Sequence, residues 1–358
     1  MLTRKKAGYI IVLINIRRKY DMKKFKRVLA VLISALLVAA AFAGCSNSGE
    51  KEPADEKTAN VAILQFMPHS SLDNCTEGVI KALDAAGIGH HLEIGSSGSA
   101  VADCQSYAEK MAVSDYDMII AVATPAAISA FSAVKSASSS IPVVFCAVSD
   151  PIEAGIVESL EAPGNNCTGT ADAIDLKGQV ALIKALQPEI EKLGVLYTTS
   201  EPNSISQIRT LEAECNAVGI ELITQGITDA TELASASASL IPKVDALTNL
   251  TDNNVVDNMG VFLQQAEEAN IPVYGSEIEQ VKKGCLASAS LDYVALGEQT
   301  GKMAVDILNG ANPAATPVLT VMDSFTVINT DIASKLGITI PDSLNDAEKI
   351  TTTSAEAE

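Results

Sequence analysis

Polar side chains in this sequence gather where apolar runs end. VAILQF (61–66) leads into a loop carrying His69 and Ser70, and MIIAVATPAAIS (118–129) breaks at Thr124-Pro125 before Ala126 and Ala127. IPVVFCAVSDP (141–151) ends on Ser149 and Asp150, and GVLYTT (194–199) on Glu201, Asn203 and Ser204. Later ends supply Asp252 and Asn253, then Ser276 and Glu277, then Asp292. Hydroxyls, amides and carboxylates are plentiful, but reactive pairs are missing. His69 has no Ser or Cys at a motif spacing and reads as a polar wall or core histidine, not a general base. No catalytic residue is assigned. Cys146 lies inside a strand pattern, three residues before its polar end, and reads as a buried thiol with Cys285 far away. Of the cysteines beyond residue 45 none forms CxxC or has His at metal spacing, which argues against zinc. Such a set suits holding a small polar molecule better than transforming it.

The elements that must position these residues repeat. Ile63 to Gly87 is 24 positions, as is Val195 to Gly219, and each Gly-Ile leads at once into another strand candidate. YDMIIAVATP (116–125) is echoed by VDALTNLTDN (244–253), and IPVVFCAVSDP by IPVYGSEIEQ (271–280). Strands alternating with helices of ten to fifteen residues predict βαβ units and parallel sheets, here in two similar α/β lobes. No GxGxxG follows a first strand, so no dinucleotide cofactor is expected. Ligands of open α/β sheets bind beyond the carboxyl ends of the strands, at helix starts whose amides are unpaired. Thr124 is expected to cap such a helix with Pro125 at its first position, leaving the amides of Ala126 and Ala127 open to the cleft.

The chain ends read differently. MKKFKRVLAVLISALLVAAAFAG (22–44) has a basic start, an apolar middle and small residues before Cys45, the layout of a secretory signal. Residues 1–21 precede a second plausible start at Met22. Residues 45–59 are polar and charged and read as a tether, and 346–358 as a frayed tail. The first 44 residues hold ten Lys/Arg and one Asp, so the remainder carries 15 basic against 43 acidic side chains. That balance argues against nucleic acid or anionic lipid as partner.

FAGC (42–45) resembles the bacterial lipobox, which implies lipid on Cys45 and attachment to the membrane. HSSLD (69–73), TPAAISA (124–130), PGNNCTG (163–169), TDNNV (251–255) and LDYVALGEQTG (291–301) resemble ABC transporter substrate-binding lipoproteins of the periplasmic-binding-protein type 1 fold, in the tryptophan/tyrosine branch. The resemblance spans about Val61 to Ile340. It implies two Rossmann-like lobes joined by three crossovers, with 60–170 plus 292–313 in one and 171–291 plus 314–345 in the other. Helix 293–309 is expected to return to the first lobe and 318–329 to the second. The implied function is extracytoplasmic capture of a small amino-acid-like solute by a monomer, for delivery to a permease and its ATPase. A sensor lipoprotein, or a nucleoside or sugar binder of the same fold, is the alternative. Trp is absent and aromatic residues make up 4% of the chain, which argues against a box of several rings; Phe66, Tyr197, Tyr274 and Tyr293 are the candidates. For an α-amino acid, the carboxylate is expected on the Ala126 and Ala127 amides and the Thr124 hydroxyl, assisted by Ser70 or Ser149. The ammonium is expected on Asp252, with Glu277 or Asp292 as alternatives. On this reading Asp252→Ala abolishes binding and leaves the melting temperature of the empty protein nearly unchanged.

Overall fold

The computed structural model describes residues 59–98, 100–321 and 324–351. Cys45, the leader, most of the tether and residues 352–358 lie outside the described residues. No helix among the described residues is long and apolar enough to cross a membrane.

The first lobe is built on strands β1 (Asn60–Gln65), β2 (Gly89–Ile94), β3 (Met118–Val122), β4 (Val143–Cys146) and β5 (Cys167–Asp172). Every side chain of β3, β4 and β5 is buried, as expected where helices cover both faces of a parallel sheet. Helices α1 (Ser70–Ala85), α2 (Ala100–Ala112) and α3 (Thr124–Ser136) supply the crossovers. The second lobe repeats the plan: α4 (Leu176–Leu186), β6 (Lys192–Thr198), α5 (Pro202–Ala217), β7 (Glu221–Ile227), α6 (Leu233–Leu240), β8 (Ala246–Thr248), α7 (Asn253–Asp257), α8 (Met259–Glu268) and β9 (Val273–Tyr274). Gly87 (φ 69°) and Gly219 (φ 76°) end equivalent helices in the left-handed region, where a side chain would be strained.

After α9 (Ile278–Lys282) and β10 (Ala287–Ser290) the chain crosses back, and α10 (Tyr293–Leu308) packs on α1. This contact is close because it is made by glycines. A Cβ on Gly297 would lie 2.0 Å from the Cys75 carbonyl oxygen, and one on Gly78 2.1 Å from that of Val294. The glycines of LDYVALGEQTG are therefore packing devices, while its tyrosine faces the cleft.

The last segment departs from expectation. β11 (Leu319–Val321) pairs parallel with β5 and completes the first sheet, in the order β11-β5-β4-β3-β1-β2. Only β12 (Phe325–Asn329) enters the second lobe, followed by α11 (Thr330–Leu336). The apolar run 318–329 is thus divided between lobes, with β11 in the first sheet and β12 in the second lobe, so residues 319–321 stay with the first lobe, beyond the expected crossover at 313–317. Part of the expected tail is also a strand, since β13 (Glu348–Ile350) pairs parallel with β12. β12 itself runs antiparallel to β10, an exception in otherwise parallel sheets. The Gly275 amide donates to the Ala287 carbonyl (2.9 Å) and Leu286 to Val273 (2.7 Å), joining the order β7-β6-β8-β9 to β10-β12-β13.

Each lobe has its own apolar interior. Ile63, Ile120, Val144 and Leu296 belong to the first; the second is divided between a group around Ile183 and Val195 and another around Leu233 and Phe262. Cys75, Cys104, Cys146, Cys167, Cys215 and Cys285 are all buried free thiols. Burial raises the Cys285 thiol well above its ordinary range, which leaves it protonated and inert.

Candidate functional site

The strand tips of both lobes face one cavity. From the first lobe its wall takes His69 and Leu72 at the start of α1, Ala123 and Thr124 after β3, Ala147 and Ser149 after β4, Asp172 at the end of β5, and Tyr293. The second lobe contributes Asn203 from α5, Thr251 and Asn253 around the start of α7, Val256, and Glu277 and Gln280 around α9. Hydrogen bonds hold the lobes shut across it. The Gln207 side-chain nitrogen donates to the Ser149 hydroxyl (2.9 Å), Ser206 donates to Asp150 (2.8 Å), and His69 meets Asn253 at 3.1 Å. An exposed ion pair, Arg209 with Glu153 at 3.1 Å, spans the same seam. In this arrangement the free volume is about 20 Å³, room for one water and not for an amino acid, so a larger ligand enters only when the lobes part. A wider space of about 450 Å³ is lined by Phe66 and Met67 of the first lobe and by Ser200, Asp229 and Asn254 of the second.

Two backbone positions at the tips are held in conformations that L residues rarely adopt: Ala123 at φ 81°, ψ 155° and Ala147 at φ 56°. Such strain persists only where neighbours fix it; here the Ala123 amide donates to the Cys146 carbonyl (3.0 Å). Ala123, not Thr124, occupies the cap of α3, and Thr124 begins the helix without a capping side-chain bond. The Ala127 amide donates to the Ala123 carbonyl (3.0 Å), so it is closed to a ligand. Ala126 and Ala127 are fully buried and lie off the cavity wall. Thr124 is the part of this helix start that reaches the cavity.

Among the other sequence-predicted residues, His69, Ser149, Asn203, Asn253 and Glu277 line the wall. Ser70, Asp150, Ser204, Asp252, Ser276 and Asp292 do not. Asp292 is exposed and caps α10, accepting the Ala295 amide at 2.9 Å. The Ser276 hydroxyl accepts from the Gln280 side chain (3.0 Å). Asp150 serves the seam between lobes. Asp252 is wholly engaged: it accepts the Thr198 amide (2.6 Å) and hydroxyl (2.8 Å), the Ser204 hydroxyl (2.7 Å) and the Val255 amide (3.0 Å). It is a fully buried structural carboxylate, so the expected ammonium contact at Asp252 is corrected.

The carboxyl groups that do reach the cavity are Asp172 and Glu277, one from each lobe. Asp172 is 2% exposed and accepts the Ser149 and Tyr293 hydroxyls, both at 3.0 Å. Burial pushes its pKa up to about 6, against those two hydrogen bonds. Glu277 is 1% exposed and caps α9, accepting the Glu279 (2.7 Å) and Gln280 (3.0 Å) amides. Burial pushes it up to about 7. No Lys or Arg lines the cavity, so its complement is a cation. Sequence reasoning missed Asp172 because CTGTAD reads as an ordinary strand; an acid at the C-terminal tip of a parallel strand was the available signal.

Behind the wall, Glu201 is buried beside Asp252, and burial and that neighbouring charge push its pKa up. Five N–H groups oppose them. Glu201 accepts the Asn253 amide (3.0 Å) and side chain (2.6 Å), the Asn254 amide and side chain (both 3.2 Å), and the Asn203 side chain (3.2 Å). This cluster braces Asn203 and Asn253 against the cavity. Of the four aromatic candidates only Tyr293 lines the closed cavity; Phe66 lines the wider space, and Tyr274 is a core residue donating to Gln187 (2.9 Å). Among the described residues no cluster of His, Cys, Asp and Glu is arranged to hold a metal ion.

Comparison with known proteins adds to this geometry. The sequence model of a family described as ABC transporter substrate binding protein matches residues 60–350. A tyrosine-binding protein of Clostridioides difficile (strain R20291) is 35% identical over 326 residues, 88% of this chain and 93% of that protein. Among solved structures, an ABC domain in complex with L-Trp from Streptococcus pneumonia superposes with a TM-score of 0.77 at 34% identity, covering 82% of this chain and 99% of that one. A ligand-free, open substrate binding protein with adhesive properties from Clostridium difficile covers the same shares at 35% identity, but with a TM-score of 0.62.

Proposed function

The chain belongs to the ABC transporter substrate binding protein family, and from that premise we propose that it captures an aromatic amino acid between its lobes. Members of this family work outside the cytoplasm and bind a solute without altering it. On this reading the loaded protein, a monomer carrying lipid on Cys45 at the membrane surface, passes its ligand to an ABC permease. Cys45→Ala is then expected to release the protein from the membrane fraction of cells; retention there would remove the anchor.

The observation that carries the reading is a buried, acid-lined cavity divided between lobes and lacking Lys and Arg. The ligand ammonium takes Asp172 and Glu277, which brings together charged groups from both lobes and favours closure. The ligand carboxylate takes Thr124, the residue of the α3 start that reaches the cavity, at the positive end of the helix dipole; Pro125 has no N–H and the Ala127 amide is already bonded, so the Thr124 hydroxyl is the main donor there. Leu72 and Val256 provide apolar surface for the side chain. Micromolar affinity needs about 8 kcal/mol net. Charge-assisted hydrogen bonds contribute about 1.5–3 kcal/mol each, so several must form together as the cleft dries.

The raised carboxyls set the pH dependence. Asp172 and Glu277, with pKa values of about 6 and about 7, hold protons in the empty protein as pH falls through that range. An ammonium favours their ionised forms, so affinity rises from about pH 5 to pH 8 and binding releases protons near pH 6–7. Calorimetric titration with L-tyrosine and L-tryptophan at several pH values measures this. Asp172→Asn is expected to weaken binding about tenfold to a hundredfold and to flatten the pH profile between pH 5 and 6. No heat with any aromatic amino acid, across that range, would overturn the reading.

A further inference from the structure

Among the cavity-wall atoms without a partner, which include the Ser71 hydroxyl, two are acceptors whose polarity is fixed by the hydrogen bonds behind them. The Asn253 and Asn254 backbone amides donate to the two oxygens of Glu201, and in its ionised form that carboxyl takes the neighbouring side-chain nitrogens as further donors. The Asn253 side-chain nitrogen is therefore turned toward Glu201, which leaves its oxygen, Oδ1, facing His69 Nε2 at 3.1 Å. An amide oxygen only accepts, so His69 carries its proton on Nε2. Burial lowers the His69 pKa and keeps the ring neutral. Nδ1 is then a bare lone pair, buried and without a partner. The same logic applies to Asn203. Its nitrogen donates to Glu201 (3.2 Å) and to the Thr251 carbonyl (3.0 Å), while its oxygen is buried without a partner. His69 and Asn203 come from opposite lobes and line the same cavity.

A buried acceptor that has lost water is costly until a donor reaches it. The ligand ammonium is drawn by its charge to Asp172 and Glu277, so these neutral acceptors remain for a neutral donor. We propose that His69 Nδ1 and Asn203 Oδ1 form a subsite for a ring O–H or N–H, selecting tyrosine and tryptophan over phenylalanine. This rests on the aromatic amino-acid reading above and deepens it. The phenol O–H of tyrosine and the indole N–H of tryptophan each supply one donor to these acceptors, whereas a phenyl ring supplies none.

The test is calorimetric titration of the wild-type protein and His69→Leu with L-tyrosine, L-tryptophan and L-phenylalanine, with a melting curve for each variant. Wild type is expected to prefer tyrosine and tryptophan by about tenfold to a hundredfold. His69→Leu also breaks the His69–Asn253 bond between the lobes and so weakens all three ligands, but it is expected to weaken tyrosine and tryptophan about tenfold more than phenylalanine, which removes most of the preference. Equal wild-type affinity for all three, or an equal loss for all three in the variant, overturns this subsite alone. Absence of binding by all three overturns the functional reading and the subsite with it. Nitrogen NMR of the wild-type protein checks the tautomer independently of any variant: His69 is expected protonated on Nε2 and bare on Nδ1. A proton on Nδ1 overturns the proposal.

Discussion

Asp252→Ala is expected to destabilise the second lobe by about 3–5 kcal/mol, combining a lost helix cap with buried donors left unpaired. The carboxylate serves three elements at once. It accepts from Thr198 at the end of β6, from Ser204 on α5, and from Val255 in the first turn of α7. All this occurs with no solvent exposure, so water cannot replace the lost acceptor. One opposing effect is present: burial raises the Asp252 pKa, and its charge raises that of Glu201, so removing it relieves that neighbour. The four hydrogen bonds outweigh that relief, because each has a buried donor behind it. Asp252→Asn keeps the shape and one acceptor and is expected to cost less. Urea unfolding followed by circular dichroism measures both variants. A midpoint equal to wild type for Asp252→Ala would return Asp252 to the status of a surface-like ligand group, as spacing alone suggested.

Gly297→Ala is expected to cost about 3 kcal/mol and also to weaken ligand binding. The new Cβ would lie 2.0 Å from the Cys75 carbonyl oxygen and 3.0 Å from the Val79 nitrogen, both backbone atoms of α1. Backbone cannot rotate aside as a side chain can, so α10 and α1 must separate. Their N-terminal ends carry Tyr293 and Leu72 into the cavity, which is why affinity falls along with stability. Gly260→Ala is the control. Nothing lies within 4 Å of its added Cβ, and it sits within α8, so it is expected to be neutral or slightly stabilising. Equal melting temperatures for Gly297→Ala and Gly260→Ala would contradict the packing account.

The alternation of strands and helices was legible because its signals are local. MIIAV and VVFC are continuous apolar runs, as strands buried on both faces must be, and Gly87 and Gly219 mark helix ends by their conformational freedom. The destination of residues 318–329 was not legible. β11 and β12 have similar patterns, and their separation depends on which sheet edge lies within reach. Ala123 gave no warning either, since a positive φ at alanine is imposed by tertiary context. Thr124 looked like a cap because a threonine before proline suits that position, but the strained Ala123 takes the place instead.

The site was partly legible for a similar reason. Strand ends told where polar groups collect, and His69, Thr124, Ser149, Asn203, Asn253 and Glu277 do line the cavity. Which carboxylates face inward could not be read from residue type. Asp252 precedes Asn-Asn-Val at a helix start, a capping position that spacing makes visible, and it turns to the backbone. Asp172 is brought to the cavity by pairing with Tyr293, a residue far along the chain that only the folded lobe places beside it.

The central claim concerns what sits between the lobes, and a crystal structure of the protein grown with L-tyrosine addresses it most directly. Density for the amino acid is expected inside the cleft, its ammonium within hydrogen-bond distance of Asp172 and Glu277 and its hydroxyl at His69 Nδ1. Tyrosine bound on an outer face, or an ammonium turned away from both carboxylates, would contradict the account.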